Sequence, residues 1–283
     1  MSALIENPRV MLGSALFAII LVVLYHPVIW KLLIDWWQIP DVSHGFLVPP
    51  FAAYLLWARR KVLAKTELSP SWSGVAFVGA GVVVLLLGVY GAELFLSRIS
   101  LVIVLTGITL AFGGTKVLGE LRFVLLVLLL AIPIPAIVFN QITLPLQTLA
   151  AKSASALLPL FNVPVLREGN VIVLPMMKLE VAQACSGIRS LMSLVTIAVL
   201  FGYFFDRSVL RRAALVVASV PIAIAANGLR IFCTGLCVQY WDTDKALGFF
   251  HEFSGWVMFL VSLASLYLVH RAMSLAAERW ATS

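Results

Sequence analysis

Apolar residues fill this chain in long, nearly unbroken blocks, whereas an element that buries one side against a core shows a three-to-four or two-residue rhythm. A helix that crosses a hydrocarbon layer needs about 20 such residues, fewer if it begins in the interface. Eight blocks qualify, at residues 10–30, 45–57, 74–95, 99–112, 121–139, 187–205, 213–237 and 253–270, the second and fourth being the shorter ones. The pair Pro133 and Pro135 bends or ends the fifth. Residues 141–161 keep helical spacing but are interrupted by Gln147, Lys152, Ser153 and Ser155, which predicts a helix lying in the interface, with a ninth crossing as the alternative. From Val163 to Val181 the rhythm changes again. Glu168-Gly169-Asn170 and Pro175-Met176-Met177 punctuate β-branched runs, the pattern of a small β-hairpin or meander. The expected architecture is an all-α polytopic membrane protein of about eight transmembrane helices, a single domain over 1–283 with an extracytoplasmic insertion at about 140–186.

Composition agrees with the pattern. Hydrophobic residues make up 62% and charged residues 12%, against about 45–50% and about 25% in soluble domains. The net charge of +7 does not imply nucleic acid, because the Lys and Arg stand at loop ends and form no patch on a solvent face; the expected surroundings are membrane lipids. With the N-terminus in the cytoplasm, the inner loops collect Arg9, Arg59, Arg60, Lys61, Lys65, Lys116, Arg122, Arg207, Arg211, Arg212, Arg271 and Arg279, 12 of the 20. The outer segments take Lys31, Arg98, Lys152, Arg167, Lys178, Arg189, Arg230 and Lys245, scattered singly. The first block has no small-residue cleavage site before Tyr25-His26-Pro27, so it reads as an anchor that is kept.

On this topology three chemically capable side chains fall on the outer face. Cys185, in Ala-Cys-Ser-Gly-Ile-Arg, precedes the sixth block, where the N–H groups and dipole of a helix start favour a thiolate. Arg230 lies near the outer end of the seventh, 18 residues after Arg212, or about 27 Å of helix. His251 precedes the eighth, with an ordinary imidazole pKa of about 6.5 suited to a general base. Thiol, guanidinium and imidazole are the parts of a cysteine acyl-transfer site. Asn227, on the face of Arg230, supports it, and Arg189 follows the cysteine. The bland readings are a packed thiol, a snorkelling arginine and an interfacial histidine. His44, in Ser-His-Gly, is a rival base, although helix capping is the simpler reading of that motif. Cys233 and Cys237, one turn apart, read as packing residues with no partners for a metal or a disulfide, and no cofactor is called for.

Together the ordered motifs resemble the exosortase/archaeosortase family, closest to bacterial exosortases. The blocks that carry the resemblance are Ala184-Cys185-Ser186-Gly187-Ile188-Arg189-Ser190, Asn227-Gly228-Leu229-Arg230-Ile231 and His251-Glu252-Phe253-Ser254-Gly255-Trp256. Ser43-His44-Gly45-Phe46-Leu47-Val48-Pro49 and Pro164-Val165-Leu166-Arg167-Glu168-Gly169-Asn170 add an early block and a segment leading to the cysteine. The resemblance implies a multi-pass thiol transpeptidase of the inner membrane whose site faces outward. Its substrates would be exported proteins that end in a Pro-Glu-Pro motif, a membrane helix and a basic cluster, and its acceptor a polysaccharide or lipid-linked group. It maps the family's cysteine, arginine and histidine onto Cys185, Arg230 and His251. Two readings from other classes stay open. A transporter needs a continuous polar route, yet the inner halves of the last three blocks carry few polar side chains; a polysaccharide-export scaffold would not need its cysteine.

Overall fold

A computed structural model describes residues 8–181, 187–241 and 249–282; for 8–11, 13–14, 249–252 and 280–282 it describes the backbone alone. The chain divides into two compact units, Met1–Pro135 and Ala136–Ser283.

The first unit holds α1 (Pro8–Gln38), a 3-10 segment (Pro40–Leu47), α2 (Val48–Leu63), α3 (Trp72–Tyr90), α4 (Leu94–Phe112) and α5 (Gly114–Leu129). Small residues let α3 and α4 approach closely. A Cβ added at Gly74 would stand 2.1 Å from the Ala111 backbone nitrogen, and one at Gly88 2.4 Å from that of Ser97. Such seams hold membrane helices together where lipid tails leave no hydrophobic drive between them. Arg98 is buried inside α4, not in an outer segment as its position among the scattered cations suggested, and it forms an ion pair with Asp35 of α1. Lys31, inside α1, reaches the other oxygen of Asp35 at 3.2 Å. A buried charge is costly unless it is paired.

The early Ser-His-Gly block packs within the first unit. Ser43 donates to the Pro40 carbonyl at 2.8 Å and caps no helix; the start of α2 carries no side-chain cap. His44 is buried, its Nε2–H directed at the Leu130 carbonyl 3.2 Å away, and burial holds its pKa below the ordinary value. Trp36 donates to the Ala131 carbonyl at 2.9 Å, over a surface that Gly45 leaves bare.

The second unit holds α6 (Ala136–Leu157), a 3-10 turn (Leu158–Phe161), three strands and α7 (Ile188–Phe205), α8 (Val209–Tyr240) and α9 (Phe249–Thr282). Strands β1 (Leu166–Glu168), β2 (Val171–Val173) and β3 (Lys178–Glu180) form an antiparallel meander in the order β1-β2-β3. Both predicted turns fall where expected, the first with Gly169 at φ +65°. Ile172, Leu174, Leu179 and Val181 plug the sheet onto α6 and α8 in one core with Ala150, Ala154, Leu158, Ile231 and Phe232. Asn170 donates to the buried Gln147 at 3.2 Å.

Among the described residues, six helices are long and apolar enough to span: Ala15–Gln38, Trp72–Tyr90, Leu94–Phe112, Ile188–Phe205, Val209–Tyr240 and Phe253–Arg279. Only 17% of the most apolar stretch of the first is covered by protein, so its remaining apolar surface has lipid as its natural solvent. Two expected spans come out differently. The second is a 16-residue helix that begins at Val48 after the 3-10 segment. The fifth is broken: α5 stops at Leu129 and α6 starts at Ala136, because proline removes a helical hydrogen bond and disfavours helix in the residue before it. The interface helix expected at 141–161 therefore begins earlier, at Ala136.

Candidate active site

α8 carries Asn227 and Arg230 three residues apart, hence on one face. Its neighbours present glycines to both. Gly187 caps α7 at φ +64°, a left-handed conformation that side chains disfavour, and a Cβ there would lie 2.7 Å from Cγ and Nδ2 of Asn227. The buried Asn227 amide is thus set against the turn that opens α7, two residues after Cys185. The Arg230 guanidinium in turn rests on Gly255 of α9, where a Cβ would lie 3.1 Å from Nη2 and 3.2 Å from Cζ. His251 stands one helical turn before Gly255 on the same face of α9. Its backbone is described and its side chain is not, and Cys185 lies outside the described residues. Arg189, the second residue of α7, is exposed. Cys233 and Cys237 are free thiols packed at the edge of the meander's core, as their spacing suggested.

The described parts of the three motif blocks therefore fall at one end of the α7, α8 and α9 cluster. Residues 36–268 match the transmembrane exosortase family. The chain belongs to that family. The match runs through both compact units, and membership points to a membrane sorting transpeptidase. No curated protein and no solved structure matches the chain.

At the far end of the same helices this exosortase has a charged clamp that the motifs did not reveal. Asp206 follows α7 and is 4% exposed. Arg211 Nε donates to its two carboxylate oxygens at 2.9 and 2.8 Å, and the Ser208 N–H donates to Oδ1 at 2.9 Å. Arg212 Nε donates to the Asp206 carbonyl at 2.7 Å, and His270 Nδ1 of α9 comes within 3.8 Å of Oδ2. One short connection thus ties α7 to α8 at the end remote from Arg230, with His270 of α9 nearby. Burial raises the carboxyl's pKa, but the Arg211 and Ser208 hydrogen bonds and the Arg211 charge outweigh it and leave the pKa below the usual range. A depressed carboxyl contributes stability that is present above its unfolded pKa of about 3.9 and is lost as pH falls through the folded value. The thermal midpoint in detergent is therefore expected to hold down to about pH 4 and to drop below it. Asp206→Asn should have a lower midpoint at neutral pH and a smaller acid-side drop; an unchanged acid profile in this variant would refute the assignment.

Both seating glycines were visible as letters of the motifs, yet their function was not. A glycine that makes room for a polar side chain is indistinguishable in sequence from one that makes a turn; only the partner, about 25 to 40 residues away, tells them apart.

Proposed function

We propose that this exosortase is a thiol transpeptidase of the inner membrane that removes C-terminal Pro-Glu-Pro sorting signals from exported proteins through an acyl-enzyme on Cys185. The observation that carries the reading is the Arg230 guanidinium seated against α9 one turn from His251, while Asn227 of the same helix packs on Gly187 beside the Cys185 segment.

In the first half-reaction the Cys185 thiolate attacks the scissile carbonyl carbon. The C–N bond breaks, the imidazolium of His251 gives its proton to the leaving amine, and a thioester remains. Arg230 stabilises the oxyanion as charge develops on the carbonyl oxygen, where a fixed cation in a low-dielectric site acts strongly, and Asn227 supports it. In the second half an acceptor nucleophile, polysaccharide or lipid-linked, attacks the thioester; His251 takes its proton and the thiolate leaves. Arg189, four residues after Cys185 in the chain, meets the substrate's acidic side chain. The N-terminus is cytoplasmic and the site faces outward, as the clustered inner cations support.

The test is the size, on a gel, of an exported reporter with a Pro-Glu-Pro tail, produced with and without this chain. Loss of the tail only in its presence is expected. Identical bands would overturn the substrate assignment and favour a transport or scaffold role.

A further inference from the structure

We infer that Gly255 is a positioning residue for Arg230: its bare Cα is the seat that fixes where the guanidinium fork is presented. For its activity readout the inference rests on the transpeptidase reading above. Most close-packed glycines of this chain face backbone or apolar groups: Gly74 meets Ala111, Gly81 meets Val104 and Gly235 meets Leu158. Those glycines serve helix packing. Gly255 meets instead three consecutive atoms of one guanidinium, with Nη2, Cζ and Nε at 3.1, 3.2 and 3.6 Å from where a Cβ would stand. Arginine's fork acts through its plane and direction, which makes the surface it lies on part of its function.

Gly255 also sits inside α9, as its seventh residue and at an ordinary helical φ, so no turn demands glycine there. Local propensity argues against it, since glycine is the poorest helix former after proline and alanine the best. A methyl group at this position is nearly tolerated: at 3.1 Å the flexible fork has to give by a few tenths of an ångström, and the backbone does not. A residue that local structure disfavours, that packing barely requires and that the end of Arg230 covers is explained by the placing of that end.

The role separates from a structural one by direction. Gly255→Ala is expected to keep or raise the thermal midpoint in detergent, since it improves the helix, while turnover of the tail falls about tenfold with KM little changed; displacement of about 1 Å costs on the order of 100-fold. Gly255→Val, which drives the fork further out, should lose about 100-fold. Arg230→Lys should itself lose about 100-fold, because an ammonium does not replace a planar fork. On that background Gly255→Ala should cost nothing further, because the slimmer lysine no longer fills the seat. Wild-type turnover in Gly255→Ala would overturn the inference, as would an undiminished loss when it is added to Arg230→Lys. If no variant processes the tail, the wild type included, the transpeptidase reading fails and the cycle is read on thermal midpoints. Gly255→Ala should then gain more stability with lysine at 230 than with arginine, and equal shifts in both backgrounds would overturn the seat.

Discussion

Cys185→Ala is expected to abolish removal of the sorting tail, with residual turnover at least about 1,000-fold below wild type and no change in thermal midpoint. A covalent mechanism divides one difficult step into two easier ones, and without its nucleophile the remaining groups have nothing to activate. Arg230 and Asn227 would still bind and polarise the scissile carbonyl, which is why a small residual rate is compatible with the mechanism. Cys185→Ser sharpens the point. A hydroxyl is far more basic than a thiol, and a helix start that favours a thiolate does not ionise it, so serine should rescue little. Processing at the wild-type rate in Cys185→Ala, followed as the appearance of the shortened reporter over time, would remove the cysteine from the chemistry whatever its position in the motif.

The second large effect concerns the first unit and leaves the chemistry untouched. Arg98→Ala is expected to lower stability by about 3 kcal/mol, the lower end of the range for breaking a buried pair, because Lys31 remains 3.2 Å from the stranded Asp35 carboxylate. Asp35→Ala should cost more, about 5 kcal/mol, since the guanidinium left behind cannot shed its charge. Replacing both by leucine should be milder than either single change, because the desolvation penalty of the pair is removed with its attraction. Unfolding in mixed detergent, monitored by tryptophan fluorescence, ranks the three. A cost below about 1 kcal/mol for Asp35→Ala would mean that the pair is not buried as described.

What the sequence disclosed follows the range over which each feature is encoded. Helices long enough to span are local properties of about 20 residues, and the blocks from 187 to 205 and 213 to 237 reappear as α7 and α8 with ends moved by a few residues. The meander was legible for the same reason, because Gly169 and Pro175 mark its turns within a few residues of its strands. The proline pair ends the fifth span as its chemistry allowed, although hydropathy runs on through Ile132-Pro133-Ile134-Pro135 to Phe139. Arg98 was counted among the outer cations since its neutralising partner lies 63 residues earlier. The Asp206 clamp was hidden for the same reason, because Arg211 and Arg212 read as one more inner cationic cluster until His270 and the carboxylate are brought to them.

The site shows the same division. The residue types for acyl transfer, Cys185, Arg230 and His251, were legible as polar outliers in apolar surroundings, and their order carried the family resemblance. The seating of Arg230 and Asn227 against neighbouring helices was not legible, since it depends on glycines that act by what they omit. Gly187 before α7 and Gly255 in α9 make room for Asn227 and Arg230 of α8. Between that end and the Asp206 clamp, α8 is held at two levels about 27 Å apart, counted from Arg212 to Arg230. Fixing a long helix at both ends is a physical means of presenting a cation at a set height in a membrane, and it places the precision of the site on rigid elements.

The most direct test of the central claim is the mass of the enzyme caught in mid-reaction. Purified chain in detergent is mixed with a synthetic Pro-Glu-Pro tail peptide without an acceptor, quenched in acid and digested, and the peptide containing Cys185 is weighed. The account predicts an added mass equal to the acyl portion of the substrate on that cysteine, labile to hydroxylamine as a thioester is, and absent from Cys185→Ala. Tail cleavage that proceeds with no adduct on Cys185, or with the adduct on another residue, would contradict it.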